Sequence, residues 1–267
     1  MSPSSELYQG GYQEPQHVSG SGDCFFYHST ELPGLGLQVG HWDLREDVDR
    51  YLGKVDFAGK RVIDVGTASG YLAFEMEKRG ADVVAFDRLL SDARDEAGLV
   101  PFFDYQQRFG QSIEESMRDR FEMQRQLQNS FWLTHRLRES KVKLYCANAY
   151  DDIREIGLAD YVFFGCMLLH LRDPLLALSL FAPLAKEKLI ITEMHEEIGA
   201  YKEAPVMFLR PNINDVGNRG TWWYMTPTLL RRYLEILGFR TFEFTTHKAR
   251  SVGDGADVNL FTLVATR

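Results

Sequence analysis

The sequence predicts an α/β fold: a doubly wound, seven-stranded, mostly parallel sheet with an N-terminal arm and a helical insertion. Three observations lead there. From Lys60 onward, short apolar runs alternate with stretches of helical periodicity, the grammar of a parallel sheet with helices on both faces. The first run, residues 61–65, passes straight into a glycine-bearing loop, Gly66 to Gly70, that opens a helix. The second run, 82–86, ends in Asp87, about twenty residues beyond the loop, where such folds place a ligand-binding carboxylate.

The elements follow in order. Residues 1–24 are rich in Gly, Ser, Gln and Tyr without periodicity and read as an arm or a lid. From Cys24 to Arg45 the chain is aromatic but broken by Pro33, Gly34, Gly36 and Gly40, so an ordered irregular segment is expected. Leu44, Val48, Tyr51 and Leu52 recur at helical spacing and predict a helix ending near Gly53. Residues 1–57 thus form an N-terminal arm and helix, a lid or substrate segment, ahead of a main domain at 58–267. Seven strands are predicted there, at 61–65, 82–86, 141–146, 161–165, 188–193, 241–246 and 259–265. Helices fit at 71–79, stopped by Gly80, at 174–184, and at 226–237, capped by Gly238. Residues 88–140 are too long for a structureless loop in a compact domain. Their periodicity over 113–137 predicts a helical insertion covering the active site.

Composition narrows the function classes. The chain has 267 residues, 45% of them hydrophobic and 25% charged, with a net charge of −8. An acidic balance disfavours nucleic acid as main partner, because phosphate contacts need clustered Lys and Arg. In the insertion, Arg118, Arg120, Arg125, Arg136 and Arg138 are interleaved with Glu114, Glu115, Asp119, Glu122 and Glu139, the pattern of a solvated helix surface. No apolar run approaches the roughly 20 residues needed to cross a bilayer. The polar start lacks the order of a signal peptide. Cys24, Cys146 and Cys166 are scattered, forming neither a disulfide framework nor a metal motif. The expectation is a cytoplasmic protein with reduced thiols, no metal, no membrane partner and a small-molecule substrate; a homodimer is compatible with it.

The loop Asp64-Val65-Gly66-Thr67-Ala68-Ser69-Gly70-Tyr71 decides among cofactors by spacing. A dinucleotide fingerprint starting at Gly66 needs glycine at 68 and 71, where Ala68 and Tyr71 stand. A P-loop needs Gly-Lys-Ser/Thr, which is absent. A nucleophile elbow needs serine at 68, one position before Ser69. The loop resembles that of the class I, Rossmann-like S-adenosylmethionine-dependent methyltransferases, Asp/Glu-x-Gly-x-Gly-x-Gly, with Ala68 in place of the middle glycine. Asp87, the Asn148-Ala149-Tyr150-Asp151 stretch after the third strand, and Asp160 to Met167 along the fourth continue the resemblance. It implies S-adenosylmethionine as cofactor. Asp64, Gly66, Thr67 and Gly70 would hold its amino-acid part, Asp87 the ribose hydroxyls, Asn148 and Ala149 the adenine edge, and Gly165 the fourth-strand end. Trp42-Asp43-Leu44-Arg45, Leu168 to Pro174, and the Trp223 to Phe239 stretch resemble more closely the group around the wobble-uridine transferases and the bacterial small-molecule and glycan-cluster methyltransferases. Arg45, with a bidentate guanidinium, is a candidate for the cofactor's carboxylate.

Methyl transfer to a hydroxyl needs a proton acceptor, and histidine is the best-tuned side chain for it at neutral pH. His170, just past the fourth strand, and His195, just past the fifth among Glu193, Glu196 and Glu197, are the candidates. Tyr27, His28, Trp222 and Trp223 are candidate substrate contacts, since sugars and aromatic rings both stack on such faces. The predicted function is O-methylation of a hydroxyl on a sugar or secondary metabolite with a histidine general base. The alternatives are an RNA wobble-nucleoside methyltransferase and a catalytically silent cofactor-binding scaffold.

Overall fold

The N-terminal segment contributes four short strands, β1 (Gly11–Tyr12), β2 (Thr30–Leu32), β3 (Gly36–Gln38) and β4 (Trp42–Asp43), before helix α1 (Val48–Tyr51). Strands and helices then alternate: β5 (Arg61–Val65), α2 (Tyr71–Lys78), β6 (Asp82–Asp87), α3 (Ile113–Leu137), β7 (Lys143–Cys146), β8 (Ala159–Gly165), α4 (Pro174–Phe181) and β9 (Ala185–Met194). A small hairpin of β10 (Met207–Leu209) and β11 (Trp223–Met225) precedes α5 (Pro227–Ile236), β12 (Thr241–Ser251) and β13 (Asp257–Thr266). This computed structural model describes residues 10–90, 106–107, 110–196, 201, 203–211 and 220–267.

The main sheet runs β1-β7-β6-β5-β8-β9-β13-β12-β4. The five strands from β7 to β9 are parallel, and β13 and β12 return antiparallel at one end. The sheet therefore has nine strands among the described residues, not the predicted seven. The two extra strands are two-residue pieces of the N-terminal segment, β1 on the β7 edge and β4 on β12. They cover backbone edges that would otherwise be open to pairing. The N-terminal helix is also shorter than its apolar spacing suggests. Leu44, Val48, Tyr51 and Leu52 are all buried, yet only Val48–Tyr51 is helical, because Trp42 and Asp43 are drawn into β4.

Two apolar layers flank the sheet. On one face α2 and α3 pack Leu72, Phe74, Met76, Phe131 and Trp132 against Val62, Val83, Leu144 and Phe163. On the other, α4 and α5 bury Leu178, Phe181, Leu230 and Leu234 against Ile63, Val84, Val162 and Ile191. Central strands buried on both faces are why residues 61–65 and 161–165 read as mainly apolar runs without alternation. Helix α3 begins with a reciprocal cap: the Ser112 hydroxyl accepts from the Glu115 amide and the Glu115 carboxylate accepts from the Ser112 amide. Part of the predicted insertion, at 91–105 and 108–109, lies outside the described residues. No helix among the described residues is long and apolar enough to cross a membrane.

The order of the strands positions the site. The strand order reverses between β5, from which the sheet grows toward β6 and β7, and β8, from which it grows toward β9. The carboxyl ends of β5 and β8 therefore flank the crevice where open α/β sheets bind ligands.

Candidate active site

The glycine loop leaves β5 and is stapled to the end of β6. The Gly66 and Thr67 amides donate to the Phe86 carbonyl at 2.9 and 3.0 Å, and the Gly70 amide closes the turn on the Thr67 carbonyl at 2.8 Å. Gly66 has φ of 84°, and a Cβ there would lie 2.4 Å from Met167 Cγ. Gly70, with φ of 85°, meets Phe131 and Phe74 in the same way. Ala68 occupies the left-handed region too, at φ of 51°, so the smallest side chain stands where a glycine would be unstrained.

Asp87 closes β6 with a fully enlisted carboxylate. Oδ2 accepts from the Ala68 amide at 2.7 Å; Oδ1 accepts from the Arg88 amide at 2.8 Å and from Gln124 Nε2 at 3.1 Å. Gln124 belongs to α3, so the insertion is tied to this carboxylate. Burial raises the Asp87 pKa, against those donors and the Arg88 charge, which lower it. Asp64, behind the loop, is pushed up to about 7 by burial. Both Asp64 and Thr67 are buried, and the Thr67 hydroxyl acts against that burial on the Asp64 carboxyl. Asn148 and Ala149 are buried beside Asp87: the Ala147 amide donates to the Asp87 carbonyl at 3.0 Å, and the Asn148 amide to Asp151 Oδ2 at 3.0 Å. Gly165 sits where a Cβ would lie 2.8 Å from the Phe163 ring. Arg45 is set apart from this group. Its guanidinium makes a two-pronged pair with Asp43, at 2.9 and 2.8 Å, with Glu31 at 3.8 Å.

A cavity of about 450 Å³ opens beside the loop, lined in part by Tyr27, His28, Trp42, Tyr51, Cys166, His170, Arg210 and Tyr224. Cys166 adjoins Met167, whose side chain rests on Gly66, so cavity and loop share a wall. The N-terminal segment is fixed to the same loop: the Tyr27 amide donates to Ser69 Oγ at 3.1 Å. Burial pushes the Tyr27 phenol up to about 12 and raises Tyr51 well above the ordinary range. Tyr51 is held from below by a buried hydroxyl pair, in which Thr192 Oγ1 donates to the Tyr51 carbonyl at 2.7 Å and lies 2.6 Å from Thr262 Oγ1.

Of the predicted substrate and proton-acceptor residues, the structure brings Tyr27, His28 and His170 to the cavity. His170 is exposed at the rim, with Nδ1 on the Gly220 carbonyl. His195 does not line it. It follows Met194, a lining residue, and turns to the opposite face of the sheet against the Phe244 and Phe261 rings. Glu197 lies outside the described residues, and among those described no group of three or more His, Cys, Asp or Glu is placed to hold a metal. Trp222 and Trp223 are not among the lining residues. Trp222 donates its amide to Leu169 and lies under Arg172, while the Trp223 indole donates to the Arg172 carbonyl. Tyr224 lines the wall instead, with Arg210 4.2 Å above its ring. Sequence reasoning missed Arg210 and the lining residues Ala249, Val258 and Leu260. The last three carry no signal beyond strand alternation, and the cavity only exists once β12 and β13 pair.

Glu193, at the end of β9, organises the floor. Its Oε1 accepts from the Leu168 amide at 2.9 Å and from Leu169 at 3.4 Å. Burial nevertheless pushes its pKa up to about 8. A carboxyl raised on folding favours the folded state at low pH, and that contribution is lost as pH rises through the raised value. We therefore expect the melting temperature of the apoprotein to fall as pH rises from about 4.5 to about 8, and Glu193→Gln to flatten that fall. A variant whose pH profile matches the wild type would show that Glu193 is ionised throughout.

Residues 41–243 match the family described as "Methyltransferase domain". A 49-residue stretch is 45% identical to the ribosomal protein L11 methyltransferase of Deinococcus radiodurans, covering 18% of each chain. The N-terminal domain of EvdMO1, crystallised in the presence of SAH and D-fucose, superposes with a TM-score of 0.50 at 16% identity over 91% of each chain. A SAM-dependent methyltransferase from Methanosarcina mazei superposes with a TM-score of 0.51 at 14% identity, over 81% of this chain and 95% of that one. The fold is that of a Rossmann-like methyltransferase with a largely parallel central sheet. The chain belongs to the methyltransferase domain family.

Proposed function

We propose that this S-adenosylmethionine-dependent methyltransferase acts on a hydroxyl of a small molecule, a sugar or a secondary metabolite, with a histidine as proton acceptor. The observation that carries the reading is the cavity sharing a wall with the glycine loop through Cys166 and Met167. Its volume of about 450 Å³ falls in the range of small-molecule sites, and its wall is aromatic and apolar with a few polar groups. Arg210 is the only Lys or Arg among the described lining residues. That and the net charge of −8 favour a small acceptor over RNA.

The loop residues fit the cofactor. At Gly66 and Gly70 positive φ and the side chains of Met167, Phe131 and Phe74 exclude a Cβ, which fixes the loop's turn, and the buried Asp64 and Thr67 side chains suit the amino-acid tail. Asp87 suits the ribose hydroxyls and Asn148 with Ala149 the adenine edge. When bound, S-adenosylmethionine supplies an electrophilic methyl on a sulfonium. The chain's own contribution is alignment of the acceptor, exclusion of water by the aromatic wall, and removal of the hydroxyl proton.

Two measurements test this. Calorimetry is expected to show S-adenosylhomocysteine binding to the intact protein; no binding sinks the reading. Methyl-labelled S-adenosylmethionine incubated with a panel of sugars and phenols is expected to leave label in a methyl ether. Label found only in tRNA would replace the small-molecule acceptor with a nucleoside.

A further inference from the structure

Two histidines stand in the cavity wall, and their surroundings differ. His170 is exposed at the rim and bonded to Gly220. His28 is 7% exposed, and its Nδ1 is buried with no hydrogen-bond partner. The ring lines the cavity, and Nε2, the ring nitrogen that is not enclosed in this way, is the one it can present to a ligand there.

The backbone is built to hold this ring in place. Gly40 crosses His28 so closely that a Cβ at 40 would lie 2.3 Å from the His28 carbonyl carbon. On either side of His28, the Trp42 amide donates to the Tyr27 carbonyl at 2.9 Å and the Ser29 amide to the Trp42 carbonyl at 2.8 Å. One residue earlier, Tyr27 is bonded to Ser69 of the glycine loop. The ring itself packs against Tyr27 and Tyr71, with centroids 4.9 and 5.6 Å away, and Tyr71 is the first residue of α2, directly after Gly70. The imidazole is thus anchored between the acceptor cavity and the cofactor loop.

We propose that His28 is the residue that receives the acceptor's hydroxyl proton, an assignment that rests on the methyl-transfer reading above. As the acceptor oxygen bonds to the methyl carbon, the electron pair of the breaking C–S bond stays on sulfur, and the hydroxyl proton passes to the unprotonated ring nitrogen of His28. The products are a methyl ether, S-adenosylhomocysteine and an imidazolium that returns its proton to solvent.

Burial, assisted by His41 nearby, holds the His28 pKa down at about 3, so the ring is neutral at physiological pH. The same burial opposes imidazolium formation, but the site's net charge does not change in the step. The positive charge leaves sulfur as the ring acquires it, so no additional charge has to be buried.

Nitrogen-15 NMR of ring-labelled histidines in the S-adenosylhomocysteine-loaded protein tests the assignment, with phenol as hydroxyl probe and toluene as its isostere. Phenol is expected to move one His28 ring nitrogen toward its protonated value, and toluene to leave it in place. The signal is assigned by its loss in His28→Gln, or in His28→Asn should the first variant not fold. Phenol moving His170 instead, moving neither ring, or acting no differently from toluene would overturn the assignment. S-adenosylhomocysteine failing to bind in the same sample would count against the methyl-transfer reading itself.

Discussion

Gly66→Val is expected to abolish cofactor binding, weakening S-adenosylhomocysteine by more than roughly 100-fold while the chain still melts cooperatively. Two independent effects coincide at this position. The backbone stands at φ of 84°, where a β-branched residue is strained by roughly 1–2 kcal/mol. A Cβ would also lie 2.4 Å from Met167 Cγ and 3.0 Å from Met167 Cβ. One of the two segments must then move, and both border the site. Strain of this size lowers the melting temperature of a domain this long by roughly 2–8 °C, which is measurable but short of unfolding. Ala68→Gly is the matched control. Position 68 already carries a side chain at φ of 51°, so removing it is expected to leave binding intact. Calorimetry and thermal melts on the pair decide the matter: wild-type affinity in Gly66→Val would mean that the loop does not hold the ligand.

The residues that were readable in the sequence are those whose signal is local. The apolar runs at 61–65 and 161–165 are buried on both faces, and the loop at Gly66 to Gly70 announces itself by backbone need, so each could be placed without knowing the rest of the fold. Edge strands β1 and β4 are two residues long, and no periodicity can exist over two residues; they form only because β7 and β12 offer them an edge. Parity is the harder loss. His195 was placed at the ligand end of its strand, but alternation gives Met194 to the cavity and turns His195 toward Phe244 and Phe261. In the same way, the aromatic run Trp222-Trp223-Tyr224 was visible, but not which ring would line the cavity. A one-residue change of phase exchanges the two faces of a strand, and that phase is fixed by pairing partners distant in sequence. His28 was legible as a candidate substrate contact in an aromatic segment, but not as an enclosed ring. Its burial and its unpartnered nitrogen depend on Gly40 and Trp42 folding back over it.

Asp87→Ala is expected to weaken cofactor binding by about 1.5–3 kcal/mol, the range for hydrogen bonds to a charged group, which is roughly 10- to 150-fold in Kd. The carboxylate does more than wait for a ligand. It accepts from the Ala68 amide at 2.7 Å, the Arg88 amide at 2.8 Å and Gln124 Nε2 at 3.1 Å. It therefore joins the glycine loop, the end of β6 and helix α3. Truncation removes the acceptor for all three donors in a buried place, so stability must fall along with affinity. Asp87→Asn separates the two effects. It keeps the volume and one acceptor oxygen, so the loop retains a partner, while the second oxygen becomes a donor and the negative charge is lost. Affinity is expected to drop in both variants, but the melting temperature should drop clearly more in Asp87→Ala. Two variants with equal stability and undiminished affinity would show that Asp87 only braces the loop, and would remove the ribose from its proposed partners.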